Sequence, residues 1–333
     1  MVTISDVARA AGVGIGTVSR VINRSPLVSQ ATRQRVQQAI ERLGYQPSPI
    51  ARAFGGRRTH KLEVLVPRFA APFCLELLRG IEDALIDTDY AVLLRSMDSV
   101  SDRDRAFETC CHRGRADGVL LAWTPPTEVF VQRLQAEELP AVLLNAVDRR
   151  MWGVAVDHDA AARRAVEYCV GLGHRRLAVI DRFADPFAAA GPGLCQRGYS
   201  EALAAASIQE RPEYELTTEP DPAPGAAAVD ALLDLREPPT AIVVGSDLQA
   251  IGALHRARMR DRRVPEDVSI VGYNENSISA FLGLTTVRLP LREMASRATE
   301  LLLVALAEPS ARPETVVFPT ELVVRATCGP PPR

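Results

Sequence analysis

Two periodicities divide the 333-residue chain. Up to about residue 45, apolar residues recur at helical spacing; from Leu62 onward, short apolar runs alternate with amphipathic stretches. In the first part Ile4, Val7, Ala8 and Ala11 share one helical face. Thr3, three residues before Asp6, supplies a capping-box start, and Gly12 a stop, since the residue past a helix end often needs positive φ. Val18, Val21 and Ile22 mark a second short helix. Ser29 opens a third that runs to about Leu43, turning Val36, Ala39, Ile40 and Leu43 toward the first two before Gly44 ends it. Two short helices joined by a tight glycine-containing turn form a helix-turn-helix, whose second helix fits the major groove of DNA. Gly12-x-Gly14-x-Gly16 superficially suggests a dinucleotide loop, but no strand precedes it and the third glycine is misplaced.

The second part predicts repeated strand-then-helix units. Strands are expected at 62–66, 91–94, 118–122, 141–144, 176–180, 241–244 and 268–271, with helices at 73–86, 160–172 and 247–259 among those between them. Such alternation argues for parallel sheets covered by helices. The segment 219–225, with three prolines, reads as a surface loop.

Composition narrows the class. No apolar run is long enough to span a membrane, and no secretory signal pattern is visible, so a cytoplasmic protein is expected. Six cysteines (Cys74, Cys110, Cys111, Cys169, Cys195 and Cys328) show neither paired nor metal-type spacing and read as reduced core residues. The net charge of −2 conceals an asymmetry. Residues 1–61 carry ten basic side chains against Asp6 and Glu41, a balance of +8; the remainder carries 29 basic against 39 acidic, a balance of −10. A basic head on an acidic body is expected when only the head touches a polyanion.

The head closely resembles the N-terminus of the lactose-repressor (LacI/GalR) family of bacterial transcription regulators. The likeness rests on Asp6-Val7-Ala8, Ala11-Gly12-Val13, Thr17-Val18-Ser19-Arg20-Val21 and Asn23, and continues through Val28-Ser29, Thr32-Arg33, Leu43-Gly44-Tyr45 and Pro47. Landmarks such as Asp117-Gly118-Val119, Leu172-Gly173-His174-Arg175-Arg176, Gly198-Tyr199, Val264-Pro265-Glu266-Asp267 and Gly272-Tyr273 extend it to about Thr327. The resemblance implies an all-α helix-turn-helix head over 1–46, a hinge helix and linker over 47–61, and an α/β module over 62–328. That module has two lobes and parallel sheets, is similar to periplasmic binding proteins, and crosses between lobes near Asp157, Leu289 and Pro319. The tail Gly329–Arg333 has no leucine heptad, so a dimer is expected rather than a tetramer.

By the same likeness, Ile15, Gly16 and Arg20 lie at base edges, where Arg20 can grip a guanine bidentately. Thr3, Thr17, Ser19, Asn23, Ser29 and Thr32 fall at positions of backbone contact, which sets register rather than sequence. Gly14 and Gly16 replace a capping residue and a side chain, each lowering the stability of the second helix start by up to about 1 kcal/mol. Arg52 and Phe54 lie in the hinge. Phe54 stands where relatives carry a leucine and can wedge into a minor-groove base step, or pack between two hinges.

Ligands of two-lobed parallel-sheet proteins bind at the carboxyl ends of strands. Those ends offer Arg68, Phe73, Trp123, Asn145, Asp157, Asp181, Ser246, Asp247 and Asn274 as candidates, with Cys195 where sugar-binding relatives carry an arginine. Asn274 replaces their aspartate, and Ser246 replaces an asparagine. Phe73 and Trp123 can stack on a ligand or pack in the core. Arg68 gained and a carboxylate lost argue for an acidic or weakly polar effector, or for a pocket that no longer responds. No catalytic triad, metal cluster or phosphate loop is apparent, so neither enzyme activity, cofactor nor metal is expected. The whole reads as a dimeric, effector-controlled DNA-binding regulator, a repressor by expectation. A solute-binding transport protein and a nucleotide-dependent α/β enzyme are the alternatives.

Overall fold

A computed structural model describes residues 2–22, 25, 27–45, 58–112, 114–182 and 195–332. They form two compact units, one built on the chain up to His60 and one on the chain from Lys61. Asn23 lies outside the described residues, as do residues 46–57, which take in most of the proposed hinge and linker over 47–61 with Arg52 and Phe54.

The first unit contains α1 (Ile4–Ala11), α2 (Ile15–Ile22) and α3 (Gln30–Leu43). At the start of α1 the Asp6 carboxylate accepts hydrogen bonds from the Thr3 backbone N–H at 3.0 Å and the Thr3 hydroxyl at 2.7 Å. Gly12 and Gly44 sit past the ends of α1 and α3 at φ 62° and 61°, left-handed as the stops require. Val7, Ala8, Ala11, Val18, Val21, Val36, Ala39 and Tyr45 form the core, the residues that the helical spacing points inward together with Tyr45.

The second unit holds the strands β1 (Lys61–Pro67), β2 (Ala91–Met97), β3 (Gly118–Ala122), β4 (Ala141–Leu144), β5 (Trp152–Val156), β6 (Leu177–Arg182), β7 (Glu215–Thr218), β8 (Ala241–Val244), β9 (Ser269–Asn274), β10 (Thr285–Arg288), β11 (Thr315–Phe318) and β12 (Glu321–Val323). Its helices are α4 (Pro72–Leu85), α5 (Val100–Cys110), α6 (Glu128–Ala136), α7 (His158–Gly171), α8 (Gln196–Ala205), α9 (Pro222–Leu233), α10 (Asp247–Met259), α11 (Ser277–Phe281) and α12 (Leu291–Ala307). Two six-stranded sheets result, ordered β11-β5-β4-β3-β1-β2 and β12-β10-β9-β8-β6-β7. Among the described residues only the β10–β12 pairing is antiparallel. The chain passes between sheets after β5, after β10 and after β11, at the three places the sequence indicated.

Strands buried on both faces, such as β3 and β8, are continuous apolar runs, which is why their spans were legible. The expected loop at 219–225 is only half a loop: Pro222 opens α9, where a missing N–H and a fixed φ suit a first turn. There α9 and α10 meet backbone to backbone. A Cβ on Gly252 would fall 1.8 Å from the Pro222 carbonyl oxygen, so no side chain fits. All six cysteines are buried and free.

His174 sits where the starts of β6 and β8 meet the tail, as a structural contact. Its Nδ1 lies 2.9 Å from the Thr240 hydroxyl and its Nε2 2.8 Å from the Gly329 carbonyl. Burial pushes its pKa down, opposed by the Gly329 carbonyl, so the folded ring stays neutral below the usual value of 6.5. The unfolded chain binds the proton there and the folded chain does not, so this contribution is present above about pH 6.5 and lost as pH falls below it. Denaturant midpoints measured between about pH 7.5 and about pH 5.5 are expected to fall, and His174→Gln to flatten that dependence; an unchanged slope in the variant would acquit His174.

Candidate nucleic-acid interface and ligand cavity

The functional face of the first unit is the side of α2 that its core leaves free. Val18 and Val21 are buried, whereas Ile15 is 51% exposed and Gly16 and Arg20 are exposed beside it. Thr17 and Ser19 are half-buried at the margin. The start of α2 carries no capping side chain; the Gly14 carbonyl accepts from the Thr17 N–H at 2.9 Å and the Val18 N–H at 3.2 Å. Ser29 caps α3 by accepting from the Thr32 N–H at 3.4 Å and donating to the Thr32 hydroxyl at 3.0 Å, so both candidates also hold a helix start. A Cβ added at Gly14 or Gly16 meets nothing within 4 Å, so packing does not demand glycine at either position.

In the second unit a cavity of about 300 Å³ opens where strand carboxyl ends of the two sheets face each other. The first lobe supplies Arg68, Phe73 and Leu75; the second supplies Asp221, Ser246, Asp247, Asn274 and Glu275. Asp247 is fully buried and accepts from the Thr286 hydroxyl at 2.6 Å, the Ser279 hydroxyl at 2.5 Å and the Asn276 N–H at 2.8 Å. Burial pushes its pKa up, against the pull of those donors. The Ser246 hydroxyl caps α10 through the Gln249 N–H at 3.2 Å. Glu275 is raised by burial, but the Arg288 and Arg325 guanidiniums outweigh this and leave it below the usual carboxylate range. Asn274 stands at φ 105°, and its Oδ1 is buried without a hydrogen-bond partner.

Arg68 does not face the cavity as an unopposed cation. Its guanidinium reaches across the cleft to Asp221, and to Glu219 at 3.3 Å. The expectation of an acidic effector leaned on that charge, and the structure spends it on two carboxylates. Five further candidates, Trp123, Asn145, Asp157, Asp181 and Cys195, are not on the cavity wall. Trp123 is buried in the core with its ring 5.0 Å from that of Phe73, so Phe73 alone of the two faces the cavity. The Asn145 Oδ1 accepts from the His158 Nε2 at 3.0 Å, and the His158 Nδ1 lies 2.7 Å from the Tyr273 hydroxyl, so His158 joins the lobes. The Asp157 carboxylate caps α7 through the Ala160 N–H at 2.9 Å. Cys195 is fully buried, its N–H donating to the buried Asp181 at 2.7 Å. Asp221, Glu219 and His158 escaped the sequence reading because their partners lie far away along the chain.

A helix-turn-helix unit followed by a two-lobed, parallel-sheet unit with a central cavity defines a ligand-responsive DNA-binding regulator. Comparison with known proteins agrees. Residues 3–48 match the model for bacterial regulatory proteins of the lacI family, and residues 166–328 that for a periplasmic binding protein-like domain. Catabolite control protein A of Priestia megaterium is 33% identical over 90% of this chain and 91% of its own. The HTH-type transcriptional repressor CytR of Escherichia coli is 32% identical over 98% and 96%. Among solved structures, the Lac repressor dimer bound to operator and the anti-inducer ONPF superposes with TM-score 0.79 at 25% identity, covering 98% of both chains. The chain belongs to the lacI family and is a DNA-binding transcription regulator; the head match sets aside a transport role.

Because the space around Gly16 is open, Gly16→Ala is expected to raise the stability of the first unit by about 0.5–1 kcal/mol, through helix propensity alone. Thermal unfolding of the full chain followed by far-ultraviolet circular dichroism reads this directly. A drop in stability would mean that the position carries a constraint that the open space around it hides.

Proposed function

We propose that this chain represses transcription as a homodimer on a pseudo-palindromic operator, under control of a small molecule held in the cleft between its lobes. The observation that carries the reading is the free face of α2, with Ile15 and Arg20 presented on a helix whose other side is locked by Val18 and Val21. Arg20 reads a guanine and Ile15 touches a thymine methyl, while Gly16 lets the backbone approach. Thr3, Gly14, Thr17, Ser19, Asn23, Ser29 and Thr32 line the sugar-phosphate contact, and Arg52 and Phe54 serve the minor groove.

Dimerisation is supported by the edge strand β2, which leaves Val92 and Leu94 exposed on one face, and by α11, where Phe281 is 92% exposed. Exposed apolar groups of this size mark association surfaces. Arg68, Phe73, Ser246, Asp247 and Asn274 are the cleft residues assigned to the effector. The protein acts in the cytoplasm and performs no catalysis. Among the described residues no helix is long and apolar enough to cross a membrane, and no cluster of potential metal ligands occurs.

The operator, recovered by selecting bound genomic fragments, provides the test. Arg20→Ala should cost about 1–3 kcal/mol on that operator and relax preference at one base pair per half-site. An equal loss on random duplex would reduce Arg20 to a phosphate contact.

A further inference from the structure

We infer that the cleft takes an amphipathic amine, an apolar body bearing an N–H donor head, and discriminates against carboxylates. This rests on the cleft being the effector site, and names the class of ligand that site accepts.

Three observations converge. First, the wall carries apolar side chains from both sides, with Pro72, Phe73, Leu75 and α12's Leu291 from the first lobe and Leu248 from the second. An apolar body is what such walls hold. Second, the described wall presents one guanidinium, Arg68, against the carboxylates of Glu76, Asp221, Asp247 and Glu275, of which Glu76 is paired from behind with Arg79 and Glu275 with Arg288 and Arg325. The single cation is already paired with Asp221 and Glu219, so an incoming carboxylate must displace two intramolecular partners while facing the others. An amine has no such partner to displace and leaves the Arg68 pairs intact. Third, Asn274 Oδ1 is a buried acceptor awaiting a donor. Asp247 is the poorer acceptor for a ligand, because Thr286, Ser279, Asn276 and the Tyr273 backbone already donate to its oxygens. The backbone holds Asn274 at φ 105°, in a region an asparagine seldom occupies, and that strain places the amide on the wall.

The test uses the full chain and three probes with one body and different heads: phenethylamine, 2-phenylethanol and phenylacetate. Calorimetry is expected to rank them in that order, with phenethylamine at least tenfold tighter than phenylacetate. Asn274→Gly keeps the unusual backbone comfortable and removes the acceptor; it should weaken phenethylamine about tenfold. Asn274→Asp should strengthen phenethylamine and weaken phenylacetate further. Asp221→Asn combined with Glu219→Gln releases Arg68 from both partners and should narrow the gap between amine and carboxylate. Phenylacetate binding as tightly as phenethylamine, phenethylamine indifferent to Asn274→Gly, or no binding of phenethylamine at all overturns the proposal. If a different probe binds and is lost in Phe73→Ala and Leu248→Ala, the cleft is the site and only the ligand class was wrong. If a bound probe ignores both wall substitutions, the cleft reading itself falls.

Discussion

The buried carboxylate of Asp247 holds together the second-lobe wall of the cavity. It stands at the start of α10, yet its oxygens receive a hydroxyl from β10, a hydroxyl from α11 and the backbone N–H of Asn276. The approach is close enough that a Cβ on Gly272 would fall 2.5 Å from its Oδ1. A buried charge is costly unless donors surround it, and here the donors come from two segments, α11 with its N-cap and β10. Satisfying one group therefore pins the turn between β9 and α11, where Asn274 and Glu275 take up left-handed backbone. Losing the carboxylate would leave several buried donors unpaired, at about 1–3 kcal/mol each before relaxation, and would release the turn as well.

The first unit solves a different problem with fewer means. Its core contains eight buried apolar residues, barely enough for an independent fold, so each helix end matters. Gly12, Gly44 and Ser29 supply conventional ends. The start of α2 forgoes a side-chain cap, and its first turn carries glycine where a side chain would fit. Stability is given up at the end of the helix that meets DNA, which is where a flush backbone has most use.

Which parts were legible in the sequence follows from what each residue must satisfy. The inner strands announced themselves because burial on both faces forces unbroken apolar runs. The strands β7, β11 and β12 are short, half-exposed and rich in Thr and Glu, so no period stood out. In β10, Thr285 and Thr286 are fully buried, a choice that makes sense only beside Asp247 and the tail, to which their hydroxyls are bonded. Arg68, Phe73, Ser246, Asp247 and Asn274 line the cavity because strand carboxyl ends converge in any such fold. Trp123, Asn145, Asp157 and Cys195 satisfied the same rule but turned to the core or to a helix cap. Strand position selects a neighbourhood; side-chain direction is decided by partners that the sequence places far away.

The pairing of Arg68 with Asp221 and Glu219 bears on how a ligand could work through this cleft. The three side chains are 38%, 40% and 58% exposed, so water and salt weaken the pairs. Ion pairs of that exposure are typically worth roughly 0.2–1 kcal/mol each. Hinge closure of two lobes around a ligand needs much more to become decisive: reversing a population from about 1:99 to about 99:1 takes roughly 5.5 kcal/mol of differential binding. Burying about 200 Å² of apolar ligand and wall surface supplies about 5 kcal/mol at the usual coefficient. The ion pairs can therefore bias the lobes and set the polarity of the mouth, but the apolar walls must do most of the switching. A ligand that only neutralised the mouth would bind without moving the lobes, whereas one that filled the space between Phe73 and Leu248 would bind by moving them.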